Sequence, residues 1–348
     1  MDNPAPTDLE VALSPEWLSL ALCRSAAPVN VGSVKIVETL KSTATKVRFE
    51  VAFNAAPPGT GSTLCIKGFF GGGALVGGGV AGRTEASFYQ DMRPHSKIRT
   101  AVCRYVGIDR QTGHGLILMD DIVAAGGRFL TALEPYTLDQ AAGSLDQLAL
   151  LHSEHWSGAA LQRYSWLRRP LDDMARTPWL SVAALQELMD GERGTPLPPA
   201  TRDAARIQGA IRALAALGAT RSECLVHGDA HAGNIFEMAG AQSLIDWQLL
   251  QRGMWALDVP YHLAATLTVP DRRKSEKDLL RHYLDRLRAY GVDAPEWDRA
   301  WSDYRAYVVY GFFLWAMTRR VAPAITHEFV KRLGSAVADL ESFQLLGV

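Results

Sequence analysis

Three polar side chains between residues 225 and 252 have the types and spacing needed for phosphoryl transfer. The stretch LVHGDAHAGNIF places Asp229 five residues before Asn234, and LIDWQ places Asp246 twelve residues further on. Transfer of a phosphoryl group from ATP needs a carboxylate that orients the attacking hydroxyl, and a carboxylate plus an amide oxygen that hold magnesium on the phosphates. The three side chains supply these groups, so the segment is a candidate catalytic centre.

The same stretch also contains the zinc-binding spacing H-x-D-x-H. His227, Asp229 and His231 could clasp a metal ion, with His152, His155 or His262 as a further ligand. This alternative leaves Asn234 and Asp246 unexplained, so we favour phosphoryl transfer and expect His227 to brace the backbone of the loop.

The first third of the chain has the sequence pattern of an antiparallel sheet with one helix. In KVRFEVAF, apolar and polar residues alternate with the period of a half-buried strand, and VKIVETL before it can pair with it through the turn KSTAT. TLCIKGFF predicts a third strand, and AVCRYVGI and GLILMDDI predict two more. A helix is predicted from Glu85 to Met92, with Glu85 in its first turn and Pro94 at its end.

The pattern changes to helices from Thr137 onward, with Thr137 as the predicted N-cap of the first of them. The exception is the segment from Cys224 to Gly253, whose apolar pieces CLV, NIFEM and SLIDW are too short for helices. It predicts a loop and a small hairpin within a helical region. The apolar run YVVYGFFLWAM falls short of the roughly 20 residues of a spanning helix, so we predict a buried helix and no membrane insertion.

These motifs together resemble the aminoglycoside phosphotransferase and choline kinase branch of the protein-kinase-like fold, and most closely its CHK-like and ecdysteroid-kinase-like subgroup. The resemblance rests on LVHGDAHAGNIF as the catalytic loop, LIDWQ in the place of the kinase D-F-G, RTEASFYQDM as the early helix, LILMDDI as the hinge strand, and LALLHSEHW. It implies a two-lobed α+β fold, with a nucleotide-binding N-lobe at residues 1–121 and a helical C-lobe at residues 122–348 that holds the catalytic loop and the acceptor pocket.

The resemblance also assigns roles. It implies that Asp229 is the catalytic aspartate and that Asn234 and Asp246 are magnesium ligands. It implies that Lys67 contacts the phosphates of ATP, that Glu85 is its ion-pair partner, and that Asp258 anchors the catalytic loop. The remaining nucleotide contacts come from a phosphate-covering loop at residues 42–46 and from a hinge whose backbone meets adenine: Ser42, Thr43, Met119, Asp121 and Ile122. For Asp121, a turn cap is an equally good interpretation.

The composition favours a small molecule as the binding partner, and it favours a reducing compartment. The 36 basic and 37 acidic side chains give a net charge of −1 and are well mixed, which argues against nucleic acid as a partner. The four cysteines lie far apart and form no C-x-x-C pair, and the N-terminus MDNPAPTDLE is unlike a signal peptide, so we expect a cytoplasmic protein.

The acceptor is predicted to be a small, neutral or apolar alcohol. Aminoglycosides are polycations that call for carboxylates, whereas the region after Trp297 offers bases and a helical stripe of aromatic side chains: Trp301, Tyr304, Tyr307, Tyr310, Phe313, Trp315, Arg305, Arg319 and Arg320. Aminoglycoside resistance and phosphorylation of a hydroxyacyl thioester stay as alternatives. A nucleotide-binding pseudokinase is the alternative from another functional class.

The spacing G-x-G-x-x-G at Gly77, Gly79 and Gly82 is not interpreted as a phosphate site. A dinucleotide fingerprint begins directly after its strand, and a kinase glycine loop precedes the strand that bears the lysine, whereas this stretch follows Lys67. Seven glycines between Gly71 and Gly82 instead predict a mobile flap whose flexibility lets Glu85 move relative to Lys67.

Overall fold

The computed structural model describes residues 3–23, 28–71, 78–134 and 136–348. The chain divides into two compact units. The first comprises Met1–Ser96, Thr100–Arg128 and Asp246–Leu249, and the second comprises Lys97–Arg99, Phe129–Ile245 and Leu250–Val348. Asp246 therefore belongs to the first unit although it lies far along the chain. The division of the sequence into lobes at Asp121 stays a prediction.

The first unit is built on a five-stranded antiparallel sheet with the strand order β1-β2-β3-β5-β4. Its elements are α1 (Leu9–Ala12), α2 (Pro15–Leu22), β1 (Asn30–Lys41), β2 (Thr45–Ala55), β3 (Thr63–Gly68), α3 (Gly78–Ser87), β4 (Cys103–Ile108) and β5 (Gly115–Asp120). The predicted hairpin of β1 and β2, the third strand and the two later strands are all confirmed.

The alternation in KVRFEVAF decides which face of the sheet is buried. Val47, Phe49 and Val51 point into the core and are at most 5% exposed. They pack with Trp17 and Leu18 of α2 in one apolar cluster. The side chains between them on β2 lie on the opposite face. This face carries Lys46, and the pairing of β2 with β3 places Lys46 opposite Lys67.

Helix α3 begins at Gly78, so the prediction of a helix that starts at Glu85 was wrong. Glu85 lies in the last turn of α3, and a π-helical turn (Phe88–Met92) and a 3-10 turn (Arg93–His95) follow it. Glycine disfavours helix by about 1 kcal/mol per residue, which is why Gly78, Gly79 and Gly82 predicted a loop. Tertiary packing overrides that preference here.

Gly82 lets α3 approach the sheet closely. A Cβ on Gly82 would lie 2.9 Å from the Phe69 ring and 3.1 Å from the Gly115 carbonyl oxygen, and a Cβ on Gly115 would lie still closer to the Gly82 carbonyl. Residues 78–82, predicted to belong to the flap, are therefore part of a packed helix. Of the rest of the predicted flap, Gly71 donates its backbone N–H to the Thr7 carbonyl at 2.8 Å, and residues 72–77 lie outside the described residues.

The second unit is mostly helical, as predicted. Its elements, with β6 at the junction of the units, are β6 (Arg128–Phe129), α4 (Leu138–Glu154), α5 (Pro170–Arg176), α6 (Val182–Asp190), α7 (Ala204–Gly218), β7 (Cys224–Val226), β8 (Ile235–Met238), β9 (Ala241–Leu244), β10 (Gln251–Gly253), α8 (Val259–Thr266), α9 (Val269–Ala289), α10 (Trp297–Met317), α11 (Pro323–Asp339) and α12 (Ser342–Leu345).

Helix α4 begins as the sequence predicts, because Thr137 accepts the backbone N–H of Gln140 and the Gln140 side chain closes a capping box. Helix α10 contains the run YVVYGFFLWAM and is buried along most of its length. None of the helices in the described ranges has the length and apolar character required to cross a membrane.

The segment from Cys224 to Gly253 forms short strands, as predicted. β7 pairs antiparallel with β10, and β8 pairs with β9 in a tight hairpin. Residues 227–234 form the loop between β7 and β8, so they are held at both ends by strands. This arrangement positions Asp229 and Asn234.

Candidate active site

The first unit contains a buried cluster of opposite charges. Nζ of Lys67, on β3, lies 2.7 Å from a carboxylate oxygen of Glu85 on α3 and 2.8 Å from Oδ1 of Asp246. The side chains of Lys67 and Glu85 are each only 3% exposed. The structure thus brings together three predicted site residues that lie up to 179 positions apart in the sequence.

The two carboxylates keep Lys67 charged. Burial alone lowers the pKa of a lysine, but the negative charges of Asp246 and Glu85 outweigh the burial and raise the pKa of Lys67 above its ordinary value. A permanent positive charge is therefore fixed in this part of the first unit.

Asp246 is held in an unusual backbone conformation. Its φ of +69° lies in the left-handed region, which costs a non-glycine residue about 1 kcal/mol or more. The next residue, Trp247, anchors it: its backbone N–H donates to Glu85 at 3.3 Å, and its indole stacks on Phe88 with the ring centroids 4.0 Å apart. The cluster therefore fixes the direction of the Asp246 carboxylate.

Lys46 is a fourth member of the cluster, which the sequence had placed only at the end of the phosphate-covering loop. Its Nζ lies 3.5 Å from Oδ2 of Asp246, and its side chain is 34% exposed. The two oxygens of Asp246 thus face two different lysines.

The other predicted nucleotide contacts lie at the ends of strands. Ser42 and Thr43 are exposed in the turn between β1 and β2, where the Ser42 backbone N–H and hydroxyl both donate to the Ala44 carbonyl. Met119 is buried in β5, and Asp121 and Ile122 are buried just after it. None of the five has a hydrogen bond to the charge cluster within the described ranges, and their contact with nucleotide stays a prediction.

Asp121 acts as a turn cap. Its carboxylate accepts the backbone N–H groups of Val123 and Ala124 and pairs with the Arg48 guanidinium at 2.9 Å. This is one of the two interpretations that the sequence left open. A ribose contact would have to share a carboxylate that already accepts from these three groups.

In the second unit, Asp258 holds the loop at residues 227–234. It is fully buried, and its two oxygens accept the backbone N–H groups of His227 and Gly228, each at 2.7 Å. Nε2 of His152 lies 3.0 Å from the same carboxylate. These contacts agree with the anchoring role that the resemblance implies.

Asp229, in that loop, is oriented by neighbours on both of its carboxylate oxygens. The Tyr261 hydroxyl donates to Oδ1 at 2.8 Å, and the Asn234 amide donates to Oδ2 at 3.1 Å and to the Asp229 carbonyl at 2.9 Å. Trp315 in turn donates from Nε1 to the Tyr261 hydroxyl at 2.7 Å. Burial, and then the Asp229 charge, raise the pKa of Tyr261 well above its ordinary value, so the hydroxyl keeps its proton.

Sequence reasoning missed Tyr261. The residue lies three positions after Asp258, on the first turn of α8, and this spacing is the only signal that could have identified it. Trp315 was noted as part of an aromatic stripe. Most of that stripe is core, because Tyr304, Tyr307 and Tyr310 are fully buried.

Both histidines of HGDAH brace the loop. Nε2 of His227 donates to the Ile245 carbonyl at 3.0 Å, and its Nδ1 accepts the Asp229 backbone N–H at 3.2 Å. Nδ1 of His231 accepts the Gly233 N–H at 3.1 Å. Within the described ranges, no group of three or more His, Cys, Asp or Glu side chains is arranged to hold a metal ion. The hydrogen bonds of His227 therefore support the bracing role that the sequence suggested.

The oxygens of Asn234 and Asp246 suit magnesium, which prefers carboxylate and amide oxygens. Because Asn234 uses its amide nitrogen on Asp229, its amide oxygen, which accepts no hydrogen bond in the described part of the chain, is available to a cation. The Ile245 backbone N–H donates to the Asn234 carbonyl at 2.9 Å, and Asp246 is the next residue.

The first unit thus offers a fixed cation at Lys67 and a carboxylate at Asp246 that suits a metal ion, and the second unit offers an oriented carboxylate at Asp229 and an amide oxygen at Asn234. Residues 82–301 match the model of the phosphotransferase enzyme family. The chain belongs to this family. The matched region is more than half of the chain and includes Glu85, Asp229, Asn234 and Asp246, but it begins after Lys67. The predicted enzyme class, an ATP-dependent phosphotransferase with an alcohol acceptor, is confirmed by this membership.

Solved structures confirm the two-lobed, protein-kinase-like α+β fold of this phosphotransferase. Choline kinase from Cryptosporidium parvum Iowa II has a TM-score of 0.53 and 11% identity, over 97% of this chain and 93% of that chain. Plasmodium vivax ethanolamine kinase has a TM-score of 0.51 and 13% identity, over 89% and 82%. An aminoglycoside phosphotransferase solved with GDP and kanamycin has a TM-score of 0.50 and 12% identity, over 90% and 94%. No curated protein sequence matches the chain significantly.

Proposed function

We propose that this protein transfers the γ-phosphoryl group of ATP to a hydroxyl group of a small, neutral or apolar molecule. The observation that carries the proposal is the buried Lys67–Glu85–Asp246 cluster, whose cation is kept charged by two carboxylates. A buried ion pair of this kind contributes little to stability compared with an apolar pair, so a role in binding explains why the fold retains it.

In this proposal Lys67 contacts the phosphates of ATP, and Glu85 holds the lysine in place. Asn234 and Asp246 each supply an oxygen ligand to magnesium. The magnesium ion, when bound, neutralises charge on the phosphate oxygens. Ser42 and Thr43 cover the phosphates, and the backbone from Met119 to Ile122, including Asp121, meets the adenine.

Asp229 receives the proton of the acceptor hydroxyl late in the reaction. A carboxylate with an ordinary pKa of about 3.9 is too weak a base to deprotonate an alcohol in the ground state. Its first task is therefore orientation, which the hydrogen bonds from Tyr261 and Asn234 support because they fix both carboxylate oxygens. The hydroxyl becomes acidic as its oxygen bonds to phosphorus, and Asp229 then accepts the proton.

A neutral or apolar acceptor is favoured by the residues around Asp229. The His231 imidazole lies beside the adjoining rings of Trp315 and Phe329, with centroids 5.1 Å and 5.3 Å away, and Tyr261 completes the aromatic group. A polycationic aminoglycoside calls for several carboxylates, and this neighbourhood is aromatic.

The test is a coupled ADP-release assay with ATP or GTP over aminoglycosides including kanamycin, choline, ethanolamine, sugars, sterols, macrolides and hydroxyacyl thioesters. We expect one neutral class to stimulate turnover, and Asp229→Asn to lower kcat by about 10²- to 10⁴-fold with ATP affinity nearly unchanged. Asp293→Asn is the matched control, because Asp293 is exposed in the same unit.

Near-normal turnover of Asp229→Asn would reject the assignment of the catalytic residue. If ATP binds with magnesium but no acceptor in the panel stimulates ADP release, the pseudokinase alternative would be favoured. Stimulation by kanamycin, choline or ethanolamine alone would replace the neutral acceptor with a cationic one.

A further inference from the structure

Lys46 and Lys67 lie side by side on one face of the sheet in the first unit. The register of β2 and β3 pairs the two residues directly. Directly opposed residues on neighbouring strands have Cβ atoms about 5 Å apart, and two like charges at that distance destabilise a sheet unless a counter-ion separates them. Asp246 is that counter-ion, with Oδ1 2.8 Å from Lys67 and Oδ2 3.5 Å from Lys46.

The two lysines differ in how firmly they are held. Lys67 is 3% exposed and contacts two carboxylates. Lys46 is 34% exposed, and its contact with Asp246 is longer and is its only ion pair in the described part of the chain. An ammonium group has three donors. Lys46 therefore has donors to spare and is reachable from solvent, whereas Lys67 is enclosed.

The turn that precedes Lys46 lacks the usual backbone means of binding phosphate. Such loops commonly present several backbone N–H groups to the anion, often with the help of glycine. Here residues 42–45 contain no glycine, and the N–H of Ser42 is used by the Ala44 carbonyl. A side-chain cation at the start of β2 can supply the positive charge that this backbone does not.

We propose that Lys46 is a second phosphate-binding cation for the nucleotide, next to Lys67; this inference rests on the proposed function. Lys46 and Lys67 balance Glu85 and Asp246 in charge. Once Asp246 is engaged as a metal ligand, Lys46 needs another anionic partner, and a phosphate oxygen of the nucleotide provides it.

The experiment is isothermal titration of ATP, ADP and adenosine, each with magnesium, into the wild-type protein and three variants. Lys46→Met removes the charge, Lys46→Arg keeps it, and Lys35→Met is the control, because Lys35 is an exposed lysine of β1 that pairs with Glu50. We expect Lys46→Met to weaken ATP and ADP about 10-fold while adenosine binding stays unchanged. Lys46→Arg should stay within about 3-fold of the wild type, and Lys35→Met should match it.

Equal ADP affinity of Lys46→Met and the wild type would overturn the proposal. So would an equal loss for adenosine, since it would mean a general disturbance of the sheet. A wild-type protein that binds neither ATP nor ADP would reject the proposed function itself, and the two failures are therefore distinguishable.

Discussion

The charge cluster of the first unit and the loop at residues 227–234 of the second unit accommodate buried titratable groups in opposite ways. In the cluster, Lys67 is buried as a charged group, because two carboxylates raise its pKa. Next to the loop, His262 of α8 is buried as a neutral group: burial lowers its pKa to about 4, although its hydrogen bond to the Ala230 carbonyl of the loop opposes the shift. The cluster is therefore arranged to present a charged group, whereas the groups around the loop are arranged to hold its backbone conformation.

The largest expected effect comes from Asp258, on which the shape of the loop depends. Asp258→Ala leaves two buried backbone N–H groups and His152 without their acceptor. Lost hydrogen bonds to a buried carboxylate cost about 1.5 to 3 kcal/mol each, so we expect the free energy of unfolding to fall by about 5 kcal/mol. Urea denaturation measures it, with Asp293→Asn as the control. A loss below about 1 kcal/mol would show that Asp258 does not anchor the loop.

The charge cluster of the first unit should respond differently to substitution, because its positive and negative side chains balance one another in charge. Lys67→Met leaves the buried carboxylate of Glu85 without its cation, and we expect the free energy of unfolding to fall by about 4 kcal/mol. Adding Glu85→Gln removes that stranded charge and should recover at least half of the loss, whereas no such rescue follows when His152→Gln is added to Asp258→Ala. Denaturation of the single and double variants checks both statements. Additive losses in the cluster would contradict the distinction.

The neutral histidine of the second unit predicts a smaller, pH-dependent effect. The folded pKa of His262 is about 4 and the ordinary value is 6.5, so the unfolded chain binds a proton that the folded chain excludes. Its contribution is fully present above pH 6.5 and is lost as the pH falls toward 4, by about 3 kcal/mol in total.

This contribution is measured as the difference in unfolding free energy between wild type and His262→Gln from pH 7.5 to pH 4.5. The variant should lose less stability than the wild type on acidification, and the exposed His95→Gln should follow the wild type. Parallel curves for His262→Gln and the wild type would show that His262 accepts a proton in the fold.

The sequence predicted the parts of the site that depend on local spacing. The strand that bears Lys67 and the loop from Asp229 to Asn234 follow from alternation, turn residues and motif order, and both are present as expected. The start of α3 could not be predicted, since three glycines disfavour helix, and the close packing of Gly82 against Phe69 and Gly115 depends on the tertiary structure.

Contacts between elements that are distant in the chain could not be predicted from the sequence either. Tyr261 reaches Asp229 across 32 residues, and Trp315 reaches Tyr261 across 54. Which side chain of α8 or α10 faces the loop is decided by how these helices pack. The pairing of Lys46 with Lys67 likewise depends on the strand register, which a turn longer by one residue would change.

The central claim is that the cluster binds nucleotide and the loop performs the transfer. Its most direct test is the affinity of ATP with magnesium, measured by titration calorimetry for Lys67→Met and Asp229→Asn side by side. We predict that Lys67→Met binds ATP at least about 30-fold more weakly than the wild type, while Asp229→Asn binds it within about 3-fold. Wild-type affinity in Lys67→Met, or an equal loss in both variants, would contradict this division of labour.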